Sequence, residues 1–419
     1  MADLAASIAK AEQVLKEVYE PAWQNQVYTD PSVFMAKMGH EALKGEKVRA
    51  AAEIGLSGGF GFSTEEGETP AAGRVPYQKF ELAPASMFVN VVVSDKAVEL
   101  GTESGAMFNI LDNEIKAAYT TAKWNLGRSL FGDGTGKLAA VVSKSGKTIV
   151  VDDHRLLKEG LIIDFYAASD AKGAAPKATA RIAYVDRKKN SGGTGYDVLL
   201  TEDVPSAVAA TQIITVQKSL HNEITGLGAI FDSSVTSIYG VTKADNPIVK
   251  PTSLDANHEL SDDVLTQALS NARDYHNSSI DLLLMGNTAY KTYVDYLRTN
   301  NYRIEVTDGT MRGGFKGLKF LFGNREVEIY NEPFVPDTKI WGVETGKWKF
   351  KDTGWKFMQL RGGGIFNLME NKSMYRATLA NYGNPICSNP GGCVEITNCD
   401  PTTTTTTGGG TGGNVSHGG

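Results

Sequence analysis

A chain of 419 residues with 41% hydrophobic content is long enough for two or three packed domains, and its 45 glycines point to many turns and hairpins. A net charge of −6 excludes the basic footprint of a protein that grips nucleic-acid phosphate. No stretch approaches the roughly 18 apolar residues of a membrane helix, and the three cysteines all fall after residue 386, which excludes a disulfide-built body.

Residues 3–20 read as an amphipathic helix using Leu4, Ile8, Ala11, Leu15 and Val18, stopped by Pro21. Charges throughout this segment argue against a signal peptide and for a cytoplasmic product. Ser32 to Leu43 predicts a second short helix ended by Gly45. Its apolar stripe is too thin for a core of its own, so 1–45 reads as an arm lying against something else.

The pattern turns to β over 46–94. An extended run at 47–54 leads into the glycine-rich tip GLSGGFGFSTEEGETPAAGR (55–74), and Tyr77–Leu82 with Met87–Val93 forms the return, bent at Pro84. A two-stranded ribbon is marginal in water and needs a neighbour to lie on, which points to subunit contacts.

Ser94 caps a short helix at 95–100. Next comes a long amphipathic helix at about 102–131, within a unit spanning 95–136. Phe108, Leu111, Ile115, Ala118, Ala122, Leu126 and Leu130 recur at steps of three or four on one stripe. Thr102 or Ser104 caps its start, Glu103 suits the positive end of its dipole, and Gly132-Asp133-Gly134 ends it.

Residues 137–222 carry short strands at hairpin spacing and read as a separate inserted antiparallel β-domain, a barrel or a sandwich. A mixed α/β unit spans 223–344: a helix from Ser261 using Val264, Leu265, Ala268, Leu269 and Ala272, a buried strand at 280–286, a helix from Asn287, and a hairpin around Gly323-Asn324. Strands within 345–382 return as a sheet beneath the long helix. The stretch 383–419, with six consecutive threonines and repeated glycine, reads as a flexible tail.

No catalytic motif survives its context. Gly55-Leu56-Ser57-Gly58-Gly59 matches a nucleophile elbow, but FGFSTEEGETP cannot supply the helix that must follow. GDGTGK (132–137) lacks the first glycine and the hydroxyl residue of a phosphate loop, and it ends a helix instead of opening one. His40-Glu41 begins a zinc pattern that Lys44 spoils, and Asp152-Asp153-His154 reads as a solvated turn. Cys387, Cys393 and Cys399 are spaced too widely for a typical zinc site and read as free thiols in the tail. The only cluster of basic residues is Arg187-Lys188-Lys189, a turn. No cofactor and no metal is expected.

The order of these parts resembles the Hong Kong 97-type (HK97-like) major capsid protein of tailed bacteriophages, an α+β fold. FELAPASMFVNVVVSDKAVEL looks like that family's return strand and the lead-in to its spine helix. NEITGLGAIFDSSVTSIYGVTKADNPIVKP resembles its passage into the axial domain, and LSDDVLTQALSNARDYHNSSIDLLLMGNTAYKTYVDYL its helix–strand–helix. NLMENKSMYRATLANYG resembles the last strand of the peripheral domain. The likeness covers roughly residues 1–382; the β-rich 137–222 and the tail depart from it.

The resemblance implies a structural protein and not an enzyme: pentamers and hexamers of an icosahedral shell in the virion, assembled in the host cytoplasm around a double-stranded DNA genome bound without sequence specificity. Scaffolding, portal and decoration proteins would be separate partners, and no membrane is involved. Residues 46–94 would be the E-loop, lying across the neighbouring subunit through Leu56, Phe60, Phe62, Glu65, Glu66, Arg74, Tyr77 and Lys79. The spine helix would pack through Phe108, Leu111, Ile115, Ala122, Leu126 and Leu130. Some members weld subunits through a Lys–Asn isopeptide bond, for which Lys79 would be the candidate lysine. An encapsulin-like nanocompartment shell and a β-rich adhesion module with a Thr/Gly stalk are the alternatives.

Overall fold

Ser32 caps α1 (Val33–Lys37), its hydroxyl accepting from the Met35 amide at 3.2 Å, and Phe34 and Met35 are fully buried. The structure is a computed structural model describing residues 32–53, 55, 58–94, 106–244, 246–300, 318–359, 364–370 and 372–401. The helices expected at 3–20 and 95–100, the caps Thr102, Glu103 and Ser104, Leu56, Ser57, and the threonine run lie outside these residues.

The helix expected over Ser32–Leu43 is shorter than its sequence suggests. Met38 is already extended, and β1 (Gly39–Ala42) pairs in parallel with a strand 310 residues downstream, Gly39 opposite Lys349. That pairing gives Glu41 two lysine partners, Lys349 and Lys351, which a continued helix would forfeit.

β2 (Val48–Glu53) and β3 (Tyr77–Leu82) make an antiparallel ribbon from the Val48–Leu82 pair to the Glu53–Tyr77 pair. The second half of the expected return does not belong to it. Pro84 has no N–H for the ladder, and the Asn384 side chain holds the break by donating to the Ala83 carbonyl at 2.9 Å. Beyond it β4 (Ala85–Ser94) joins the main sheet, pairing with the C-terminal Met374–Cys387 strand from Ala85–Gly383 to Ser94–Met374.

α2 (Ala106–Leu130) is a 25-residue helix that buries Ile115, Ala122, Leu126 and Leu130 in one core with Val91, Phe350, Ala377 and Leu379. Phe108 and Leu111 belong to it, with side chains outside the described residues. The helix closes with tightened turns, Phe131 and Gly132 donating to the Arg128 and Ser129 carbonyls, and Gly134 turns the chain at φ +90°.

Six strands then close an antiparallel barrel: β5 (Lys137–Ser145), β6 (Thr148–Val151), β7 (Ile162–Tyr166), β8 (Ala178–Lys189), β9 (Tyr196–Leu200) and β10 (Ile213–Val216), in the order β10-β5-β6-β9-β8-β7. Ile149, Ile163, Phe165, Ile182, Val198 and Ile214 fill it. The chain leaves where it came in, the His221 amide donating to the Thr135 carbonyl at 2.8 Å. Two residues on, Glu223 takes a two-pronged bond from Arg128 at 3.0 and 2.5 Å, both side chains buried. Leu227 then bonds the Leu130 carbonyl at 2.7 Å. A Cβ on Gly226 would lie 2.2 Å from that same oxygen, so only glycine fits this crossing.

The chain continues through α3 (Gly228–Phe231), β11 (Ser237–Ile238) and β12 (Val241–Thr242) into a second layered unit. Its elements are β13 (Thr252–Asp255), α4 (Asp262–His276), β14 (Leu282–Met285), α5 (Asn287–Thr299), β15 (Leu318–Phe322), β16 (Arg325–Asn331) and β17 (Ile340–Val343). Leu265, Ala268, Leu269 and Ala272 on α4 face a core shared with Leu283, Met285 and Ile329. β18 (Trp348–Asp352), β19 (Lys356–Phe357), β20 (Phe366–Leu368) and β21 (Met374–Cys387) complete the main sheet, and β22 (Val394–Thr397) completes the second, in the order β13-β22-β17-β14-β16-β15.

The first part of the stretch expected as a tail, 383–401, is folded. β21 runs through Cys387, β22 lies inside the second sheet between β13 and β17, and Cys387, Cys393 and Cys399 are all buried. Averaging over the threonine run hid two short apolar pieces, Ile386-Cys387 and Val394-Glu395-Ile396, that need only a partner on each side to be held. The thiols are core residues, and burial pushes Cys399 up to about 12.

Glu332, 4% exposed, follows β16. Burial raises its carboxyl to about 7, against which the Phe334 amide donates a partly compensating bond. Stability from the protonated acid is complete below the unfolded value near 4.5 and is lost as pH rises through 7. A Glu332→Gln variant should therefore gain on wild type across that window by on the order of 3 kcal/mol, then run parallel above it. Urea titrations at pH 5 and 8 measure the difference; equal gaps at both pH values would refute it.

Candidate assembly surface

The β2–β3 ribbon is anchored at its base and unsupported at its tip. At the base Phe80 is buried with its ring 5.6 Å from that of Tyr239, and the Glu81 amide donates to the Tyr239 carbonyl at 3.1 Å. Beyond Glu53 and Tyr77, residues 58–76 form neither strand nor helix and are almost wholly exposed, with Gly58 and Gly59 at positive φ and one tight turn where Gly67 donates to the Thr64 carbonyl. Phe60 and Phe62 meet edge to face at 5.3 Å while 85% and 95% exposed. An aromatic pair in that state buries almost none of its apolar surface within its own chain.

Of the other residues expected there, Glu65, Glu66, Arg74, Tyr77 and Lys79 are exposed, and Leu56 lies outside the described residues. Tyr77 and Lys79 sit on β3 itself, 12 residues or more from the Glu65 end of the tip, so the set forms two groups: a tip and a ribbon face.

The ribbon face belongs to a feature the sequence reading missed. Lys47, Arg49 and Lys79 converge on Glu81 at 3.1, 3.0 and 2.6 Å, and the Lys79 and Lys47 ammonium groups hold its carboxyl down at about 2. Beside them Lys349 and Lys351 share Glu41, whose carboxyl they likewise hold low, and Lys351 also donates to the Arg49 carbonyl at 2.9 Å. Between the two clusters runs an open groove of about 580 Å³, lined by Arg49, Lys79, Lys347, Lys349 and Lys351 over Ala50, Ala51 and Ile386. Such exposed pairs add little stability; their effect is a local positive field. The sequence signal was Lys347-x-Lys349-x-Lys351, with Lys349 and Lys351 on one face of β18 and Lys347 in the turn just before it, but Arg49 and Lys79 reach it only through the fold.

No family model matches the sequence, and no curated protein matches it. Among solved structures, a chain of the cyanophage A-1(L) capsid asymmetric unit superposes with a TM-score of 0.51 at 10% identity, covering 86% of this chain and 90% of that one. The capsid of a native GTA particle matches with a TM-score of 0.46 at 8% identity, covering 88% and 90%. A Synechococcus elongatus encapsulin complex matches at 0.43 and 8%, covering 87% and 86%. The long helix against a mixed sheet and the layered α/β unit together make this the Hong Kong 97-type capsid fold.

Proposed function

We propose that this chain is the major capsid protein of a tailed bacteriophage, building pentamers and hexamers of an icosahedral shell around double-stranded DNA. The observation that carries the reading is the ribbon tip of residues 58–76, a long exposed extension with two bare phenylalanines, on a fold shared with a cyanophage capsid chain. In that role α2 is the spine, the ribbon is the E-loop crossing to the neighbouring subunit, the 252–343 layer with β22 is the axial domain, and the barrel is an insertion between them. Scaffolding, portal and decoration proteins act as separate partners, assembly takes place in the host cytoplasm, and the chain has no enzymatic role.

Purified protein at high concentration should form closed shells visible by negative staining and sedimenting far ahead of the monomer. A strictly monomeric product across buffer and salt conditions overturns the proposal. Shells isolated from the source containing an enzyme cargo in place of DNA would favour a nanocompartment.

A further inference from the structure

The ribbon tip carries Thr64-Glu65-Glu66-Gly67-Glu68, three carboxylates in five residues with no cation until Arg74. Among the described residues none of the three carboxylates has an ion-pair partner. The groove at the ribbon base presents the opposite surface. Arg49, Lys79, Lys347, Lys349 and Lys351 line it, with Lys47 beside them, and among the described residues the carboxylates these cations pair with are Glu41 and Glu81. Its floor is apolar, Ala50 and Ala51 over the nearly buried Ile386.

We propose that the acidic tip of one copy docks in the lysine-walled groove of a second copy, Glu65, Glu66 and Glu68 meeting the cations while Phe60 and Phe62 cover the Ala50–Ala51 floor. This rests on the shell-forming role proposed above and names its contact. In its own chain the tip leaves the groove open: none of residues 58–76 lines it, and Glu65, Glu66 and Glu68 make no ion pair with its cations among the described residues. Duplex DNA would engage the cations and leave the aromatic pair and the apolar floor uncovered, so the match in both charge and apolar character favours the tip. Each copy has one tip and one groove, so the contact is head-to-tail, the kind that closes into rings when the rotation between copies allows.

The test is a charge exchange. Lys347→Glu with Lys349→Glu, and separately Glu65→Lys with Glu66→Lys, should each cut shell yield at least about tenfold, since like charges face each other across the contact. Combining the four should restore shells. Circular dichroism melts check that each variant folds, as all four positions are exposed. A second measurement does not need shells: chains carrying Glu66→Cys mixed with chains carrying Lys349→Cys should form mixed disulfide dimers under mild oxidation, and either chain alone should not. Full assembly of the groove variant with reduced DNA content would assign the groove to the genome and overturn the proposal. Failure of rescue together with absence of mixed dimers would overturn it as well. Mixed dimers from the two cysteine variants, with wild-type chains that never form shells, would instead remove the capsid reading and keep the contact.

Discussion

Ile115→Asp should leave the chain insoluble or unfolded. The wild-type side chain is 2% exposed in the middle of α2, in the same core as Val91, Phe350, Ala377 and Leu379. Removing it forfeits about 2–5 kcal/mol of burial and packing, and taking the incoming carboxylate out of water into this apolar core costs several more. The sum rivals the roughly 5–15 kcal/mol by which a whole domain is stable. Ile115→Val should cost only about 0.5–1.5 kcal/mol, and Glu114→Ala, one residue away on the exposed side, should be neutral within about 0.5 kcal/mol. Soluble expression and far-ultraviolet circular dichroism rank the three; a folded Asp variant would show that this face of α2 is not buried.

Removing residues 55–74 should give the opposite phenotype: a folded protein that does not assemble. None of the tip's described residues belongs to a buried core, and β2 and β3 are held at their base through Phe80, Tyr239 and Asn384. The melting midpoint should move by less than about 2 °C. Shell formation, however, loses the only long extension among the described residues that leaves the body of the subunit. Size-exclusion chromatography should find monomer where wild type gives shells. Shells of normal yield would mean that the tip is dispensable and that contacts between subunit bodies suffice.

How far these elements were legible depends on the range of the forces that make them. α2 and α4 announce themselves locally, because Ile115, Ala122, Leu126 and Leu130, or Leu265, Ala268, Leu269 and Ala272, recur with the helical period and need only a flat surface to cover. The ribbon was visible but overlong. Pro84 marks the break in sequence, yet nothing local says that Ala85–Ser94 will prefer Met374–Cys387, almost 300 residues on, to its own hairpin partner. β22 is four residues long and could not stand out from the polar run that follows it; its place between β13 and β17 is decided by tertiary pairing alone. The groove lay furthest from view, because Lys347, Lys349 and Lys351 are joined by Arg49 and Lys79 from segments about 300 and 270 residues away.

The way α2 meets the barrel has a practical corollary. The barrel's incoming and outgoing strands are clamped where His221 bonds Thr135, where Arg128 grips Glu223, and where Gly226 lets the chain slide past the Leu130 carbonyl. Beyond this clasp, the 136–220 cassette touches the body through Arg155, which donates to the Phe334 carbonyl at 3.2 Å, and Lys158, whose ammonium lies 5.7 Å from the Trp124 ring. Its ends sit a hydrogen bond apart, so a guest polypeptide spliced there meets almost no added closure entropy. The same subunit can therefore be read as a display scaffold with a ready-made socket.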